Sequence, residues 1–211
     1  MIYRITEVMR DVRVALDLNN TSSQLLAEGD VDTLSLDEVV RSKIPEAVRR
    51  VHASAPAYML EGGHSFGDAL YWEDKGSGWV LLPDDFLRLI VFRMSDWERP
   101  VYAAISTEDP EYAKQSSRFR GIRGTAQKPV CAIGIRPEGR VLEFYSCKST
   151  EAYVAQGLYI PEPEIDGNDG IDISTRCYMA VVYMAAALTA STTGDAEQAG
   201  ALVELSKSAL Q

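Results

Sequence analysis

The chain has few of the residues from which catalytic and metal sites are usually built. Its 211 residues include two histidines, His52 and His64, and three cysteines, Cys131, Cys147 and Cys177. The cysteines are odd in number and unclustered, which indicates neither a disulfide framework nor a zinc site. No nucleophile elbow, glycine-rich phosphate loop or His-x-x-x-His spacing is present. We therefore expect buried, reduced thiols, no catalytic residues, no metal and no cofactor.

Positive charge and long hydrophobic runs are also scarce. Against 31 acidic residues there are 21 basic ones, and the net charge of −10 disfavours a general nucleic-acid binder, since such binding depends on Lys and Arg at phosphates. The longest apolar run, residues 177–190, is shorter than the ~20 residues that span a bilayer. Arg4, Glu7, Arg10 and Asp11 interrupt the N-terminal apolar pattern, so we expect no secretory signal, and synthesis and folding in a cytoplasm.

Both ends of the chain have helical periodicity. Apolar residues recur at spacings of three and four over residues 1–18 and 36–55, and Ser35 with Glu38 forms a candidate capping box before the second helix. Pro45 is expected to kink or restart that helix. Residues 176–190 are almost continuously apolar, and Gly194-Asp195 should end this helix and begin a last one. The termini are predicted to form one helical layer, residues 1–56 and 174–211.

The middle of the chain has the pattern of antiparallel strands. Short apolar runs alternate with turn residues between residues 78 and 159, and residues 130–135 and 140–146 flank a clear hairpin turn, Arg136-Pro137-Glu138-Gly139. Residues 101–105 and 153–160 are further predicted strands. We expect an α+β fold in a single domain, residues 1–211, in which a β-sandwich or barrel-like sheet over residues 57–173 is inserted between the helices.

One segment of this acidic chain concentrates arginine. Arg118, Phe119, Arg120 and Arg123 lie within a few residues of each other and could contact an acidic partner or phosphates, although solvated arginines at a hairpin tip would have the same pattern. The same long segment, residues 107–128, begins with negative charge and has few apolar residues. We predict that it is an irregular loop that binds a partner, and that it becomes ordered on docking. The acidic residues in this prediction are Glu108, Asp109 and Glu111.

A second segment, residues 166–172, carries acidic residues between glycines and superficially suggests calcium. It fails the EF-hand pattern, because its sixth and twelfth positions are Ile171 and Cys177. A solvated loop in which Asp172 or Ser174 caps the next helix is the preferred interpretation.

Two stretches resemble a known family. Residues 82–89 (LPDDFLRL) with 97–101 (WERPV), and the C-terminal hairpin with its AAALT, Gly-Asp and SKSAL segments, are similar to head–tail connector proteins of tailed bacteriophages and prophages. This family, also called neck-ring adaptors, includes the tail tubular proteins of short-tailed phages.

The resemblance implies a structural virion protein that forms a homo-oligomeric ring, commonly a dodecamer, between the portal and the tail. The ring would contact the portal protein and tail or neck proteins, and DNA would pass through its lumen without specific binding, which acidic walls would favour. The protein would be located in the virion neck after synthesis and assembly in the bacterial host cytoplasm. Two alternatives stay open: a protein-binding or scaffolding module of another assembly, and an enzyme with an unrecognised site.

Overall fold

The computed structural model describes residues 1–16, 35–73, 76–117, 119 and 121–211, which fold as two compact units. The first unit contains residues 1–62 and 162–211, and the second contains residues 63–161. The combination of terminal helices with mainly antiparallel sheets confirms the predicted α+β class. The expectation of a single domain stays a prediction.

The first unit is helical. Its helices are α1 (Ile5–Ala15), α2 (Leu36–Ser54), α4 (Tyr178–Thr193) and α5 (Ala196–Ser208). Helix α4 is apolar around most of its circumference because it packs against each of the other three helices. Short 3₁₀ turns at Ala57–Met59 and Thr175–Cys177 follow α2 and precede α4.

The capping residues in the sequence correctly predicted the start of α2, the end of α4 and the start of α5. The capping box of Ser35 and Glu38 is present at the start of α2. Gly194 ends α4 in the left-handed region with φ of +91°, and Asp195 caps α5 by accepting a hydrogen bond from Gln198 N. Helix α2 continues through Pro45, so the predicted restart there is wrong.

The N-terminal helix begins later than predicted. Strand β1 (Ile2–Arg4) pairs with β10 (Gly170–Asp172) in an antiparallel ribbon, which holds residues 2–4 extended. Pairing with a strand so distant in sequence overrides the helical periodicity. Because of this ribbon, residues 162–173 belong to the helical unit and not to the β insertion predicted over residues 57–173. Residues 17 and 18 of the predicted helix lie outside the described residues.

The second unit contains two sheets. The strands are β2 (His64–Ser65), β3 (Leu70–Trp72), β4 (Gly78–Leu81), β5 (Phe86–Met94), β6 (Ile105–Ser106), β7 (Cys131–Arg136), β8 (Gly139–Phe144) and β9 (Val154–Pro161). Their order is β2-β9-β5 in one sheet and β3-β4-β8-β7-β6 in the other. Pairing is antiparallel except between β6 and β7, which run parallel. The predicted strand over residues 101–105 is reduced to β6 and an isolated bridge between Val101 and Phe92.

Both sheets contribute to one buried core. Phe92 and Met94 of β5 pack in the same cluster as Leu142 and Phe144 of β8, and Phe92 also contacts the ring of Trp97. This core lies on one face of the five-stranded sheet. The opposite face is also covered at β8, since Val141 and Glu143 are buried there.

Candidate functional site

The β6–β7 loop (residues 107–130) contains all of the predicted partner-binding residues, and its described residues are more regular than the sequence suggested. It includes helix α3 (Pro110–Gln115), with Asp109 as its N-cap. The Oδ1 atom of Asp109 accepts a hydrogen bond from Glu111 N at 2.8 Å, and Pro110 occupies the first helical position. The prediction of an entirely irregular loop is therefore wrong, since its acidic residues supply a cap that fixes a helical turn.

The acidic residues of this loop have different surroundings. Asp109 caps α3, and the carboxylate of Glu111 pairs with Lys114 on the same helix. Glu108 is exposed, and its backbone N–H donates to Ser106 Oγ at 3.2 Å. Two of the three acidic side chains that were predicted to contact a partner, Asp109 and Glu111, thus form contacts with residues of α3.

A tyrosine ties α3 to the sheet. The Tyr112 hydroxyl donates a hydrogen bond to Glu143 Oε2 at 3.0 Å. Glu143 lies opposite Trp79 of β4 and Ala132 of β7, on the face of the five-stranded sheet that points away from the core. This contact fixes α3 against the middle of that face.

Glu143 is the centre of a fully paired polar cluster. Its Oε2 atom also accepts from the Tyr145 hydroxyl at 2.6 Å, and its Oε1 atom accepts from Arg136 Nε and Nη2 at 3.1 and 2.8 Å. Burial raises the pKa of Glu143, but the donors from Tyr145, Arg136 and Tyr112 outweigh it and hold the pKa below its ordinary value. The guanidinium of Arg136 also lies over the Trp79 ring. Glu143 is therefore a charged structural anchor.

A buried glutamine closes the base of the loop. Gln115 Nε2 donates to the Glu111 carbonyl at 2.9 Å, and Gln115 Oε1 accepts from Gly124 N at 2.9 Å. The Gly124 carbonyl in turn accepts from the Ser146 hydroxyl. These bonds join the two ends of residues 115–124 to each other and to the strand region after β8. The loop therefore projects from a fixed base.

The tip of the loop carries apolar side chains. Phe119 is 61% exposed and Ile122 is 52% exposed. Ile122 N donates a hydrogen bond to the Phe119 carbonyl at 3.1 Å, so the backbones of the two residues are close in space. Arg118 and Arg120 lie outside the described residues. Arg123 is half-buried at the base, where its Nε atom is shielded from solvent and has no hydrogen-bond partner among the residues that the structure describes. The described tip is thus apolar, with one arginine beneath it.

The other sequence candidates have structural surroundings. His52 is buried on α2, and His64 is exposed with its ring edge against Tyr159. Asp166 Oδ1 accepts from Asn168 N and Gly170 N, so it closes its own loop. Ser174 Oγ accepts from Glu61 N instead of capping the next turn, so that capping prediction is wrong. Among the residues described, no group of three or more His, Cys, Asp or Glu side chains could hold a metal ion.

One feature of the sequence points to the Glu143 cluster. Glu143 interrupts a run of buried residues, Val141, Leu142 and Phe144, and a charge in such a run requires partners. Tyr112 and Arg136 could not be identified as those partners from the sequence, because they reach Glu143 only through the tertiary fold.

A scan against protein-family models gives no match to this chain, and a search of curated proteins finds no related sequence. Within the described residues, no helix combines the length and the apolar character needed to cross a bilayer.

Proposed function

We propose that this protein is a structural virion protein that forms an oligomeric ring between the portal and the tail of a tailed bacteriophage. In this role it acts as a head–tail adaptor, and the packaged DNA passes through its lumen. The observation that carries the proposal is the β6–β7 loop, whose base is fixed by Gln115 while its tip exposes Phe119 and Ile122.

An anchored loop that exposes apolar side chains is suited to protein docking. Exposed aromatic and aliphatic side chains gain free energy when a partner buries them, and they gain more when little conformational entropy is lost on binding. The hydrogen bonds between Tyr112 and Glu143 and between Gln115 and Gly124 hold the base of the loop in one conformation before a partner binds. The base of the loop is therefore preorganised for binding.

Two further features support an adaptor role. The order of elements, with terminal helices around a β insertion, is the one that the family resemblance implies. The net charge of −10 would let DNA slide past many copies without being retained, since Lys and Arg contacts are what hold DNA phosphates.

The test is to mix the purified protein with the portal protein encoded beside its gene. Mass photometry of each component alone and of the mixture would give the copy number, and cryo-electron microscopy would show whether rings cap the portal. We expect rings only in the mixture or on the portal. Copies that never engage the portal would contradict the adaptor role.

Variants of the loop tip test the carrying observation. F119S and I122S should each weaken portal or ring binding by about tenfold or more, because a buried interface side chain commonly contributes over 1 kcal/mol. The matched control is Y102S, which removes an aromatic side chain that is 62% exposed outside this loop. If both tip variants assemble as Y102S does, the loop is not the docking element.

A protein-binding module of another assembly would use the same loop. The portal experiment separates the two functions, because such a module would stay free of the portal while its loop variants lost binding to a different protein.

A further inference from the structure

A cleft of about 820 Å³ lies in the second unit, beside the base of the β6–β7 loop. It is lined by residues 123–127 and 146–150 together with Gly76 and Glu98. Clefts of a few hundred to a thousand Å³ are the size that holds small organic ligands and side chains of partner proteins. This cleft is independent of the loop tip that carries the proposed function.

The walls of the cleft are fixed by backbone hydrogen bonds. Glu98 N donates to the Ala126 carbonyl at 2.9 Å, and Cys147 N donates to the Gly76 carbonyl at 2.8 Å. At Gly76, φ is +75° and a Cβ atom would collide with the Cys147 carbonyl oxygen, so only glycine allows this approach. Ala126 and Cys147 are also part of the unit's buried core. The cleft is therefore a preformed feature.

Two cationic residues and one carboxylate residue line this cleft. Arg123 and Lys148 line it with Glu98, and in the part of the chain that the structure describes neither cation forms an ion pair. In a chain with ten more acidic than basic residues, two cations without an ion pair in one cleft are a local concentration of positive charge, although Glu98 lines the cleft and Asp96 accepts a hydrogen bond from Lys148 N. Among the described residues the shielded Nε atom of Arg123 has no acceptor, which carries a free-energy cost that an entering acceptor would relieve.

We propose that this cleft binds an oxyanion, the carboxylate or phosphate group of a ligand, through the guanidinium of Arg123 with Lys148 beside it. Guanidinium groups present a planar set of donors that matches both kinds of anion. Hydroxyl groups of the cleft, from Ser149 and Thr150, lie among the lining residues and suit the polar part of such a ligand.

The thiol at the cleft wall does not give the site a nucleophile. Burial, followed by the charge of Asp96 and its hydrogen bond, raises the pKa of Cys147 to about 12. The thiol is therefore protonated at neutral pH and competes neither as an anion for Arg123 nor as a reactive group. The cleft is a binding site.

The test is an NMR titration that observes the Arg Nε–H resonances of the whole protein at constant ionic strength. Sodium phosphate is added in one arm and sodium glutarate in the other, each to about 10 mM, tenfold above a dissociation constant of ~1 mM. We expect the Arg123 Nε–H resonance to shift and saturate. Saturation with phosphate alone would assign a phosphate site, and saturation with glutarate alone a carboxylate site.

Variants make the result specific. R123Q should weaken binding by at least about tenfold, measured by calorimetry, and K148Q by a smaller factor. R123K keeps the charge but lacks the planar donors, so its binding should be intermediate. The control R10Q removes one positive charge from an exposed arginine of the helical unit and should leave binding unchanged.

No saturable shift with either anion in the wild-type protein would overturn the proposal, as would equal binding by R123Q and R10Q. Far-UV circular dichroism of each variant shows that the fold is retained. The portal experiment has a separate readout, so an empty cleft would not affect the adaptor role.

Discussion

A side chain that can carry charge near neutral pH is buried in each of the two units, and the two side chains, His52 and Glu143, are in opposite charge states. His52 of the helical unit is 5% exposed, and Glu143 of the β unit is 6% exposed. Burial dominates at His52, where it lowers the pKa to about 4 against the charge of Asp172, so the imidazole is neutral at pH 7. At Glu143 the hydrogen bonds exceed the effect of burial, and the carboxylate stays charged.

The difference lies in the partners. His52 Nε2 accepts one backbone hydrogen bond, from Ser174 N at 3.3 Å, which requires the neutral ring. Glu143 accepts four hydrogen bonds from Tyr112, Tyr145 and Arg136, which favour the charged form. Burial alone therefore does not determine the charge state of these two side chains. The hydrogen-bond donors and acceptors that the fold places around them determine it.

Removing the Glu143 carboxylate should have the largest effect on stability. E143A leaves the hydroxyls of two half-buried tyrosines and part of the Arg136 guanidinium without their acceptor, and should lower the free energy of unfolding of the β unit by about 3–5 kcal/mol. Urea unfolding followed by tryptophan fluorescence measures this unit alone, because Trp72, Trp79 and Trp97 all lie in it.

The control for this variant is E138A, which removes an exposed glutamate from the turn between β7 and β8. It should change the free energy of unfolding by no more than about 0.5 kcal/mol. If E143A and E138A unfold at the same urea concentration, the Glu143 cluster contributes nothing to the fold.

Acid should destabilise the helical unit first. The folded-state pKa of His52, about 4, lies below the ordinary 6.5, so the unfolded state binds more protons between these values. The contribution of neutral His52 to the free energy of unfolding is fully present above pH 6.5, and about 3 kcal/mol of it is lost as the pH drops to about 4. The pKa of Glu143 is lowered from 4.5, so its contribution is lost only below that pH. Far-UV circular dichroism during urea unfolding at several pH values measures the helical unit.

H52Q sharpens this comparison, because a glutamine can accept the Ser174 hydrogen bond but does not titrate. Its stability should be nearly flat between pH 6.5 and 4. H64Q changes the exposed histidine of the other unit and should keep the full slope. A full slope in H52Q would show that another group causes the acid sensitivity.

The smallest effect is expected at the base of the β6–β7 loop. Q115A leaves the buried Gly124 N–H without an acceptor and should cost about 1–2 kcal/mol. Hydrogen exchange at the Gly124 amide should become faster, whereas Q127A, at an exposed glutamine of the same loop, should leave it unchanged. Unaltered exchange in Q115A would contradict the role of Gln115 in holding this base.

Features with local causes were predictable from the sequence. The capping box at Ser35, the glycine end of α4 and the hairpin of β7 and β8 each depend on a few neighbouring residues. The prediction of a strand over residues 101–105 was wrong, and so was the predicted start of α1, because long-range pairing decides which extended residues join a sheet. Asp109 and Glu111 have a role in α3 that the sequence analysis did not foresee, and the partner contacts predicted for them stay predictions.

By itself the sequence determined the α+β class, the long helices with their caps and the absence of any recognised catalytic motif. These follow from periodicity and short-range hydrogen bonding, which are properties of contiguous residues. Only the tertiary structure decided that Glu143 gathers three partners, that Gln115 holds Gly124 and that Arg123 and Lys148 meet at one cleft. Such contacts join residues from separate segments, and their energies depend on burial and geometry that no local pattern encodes.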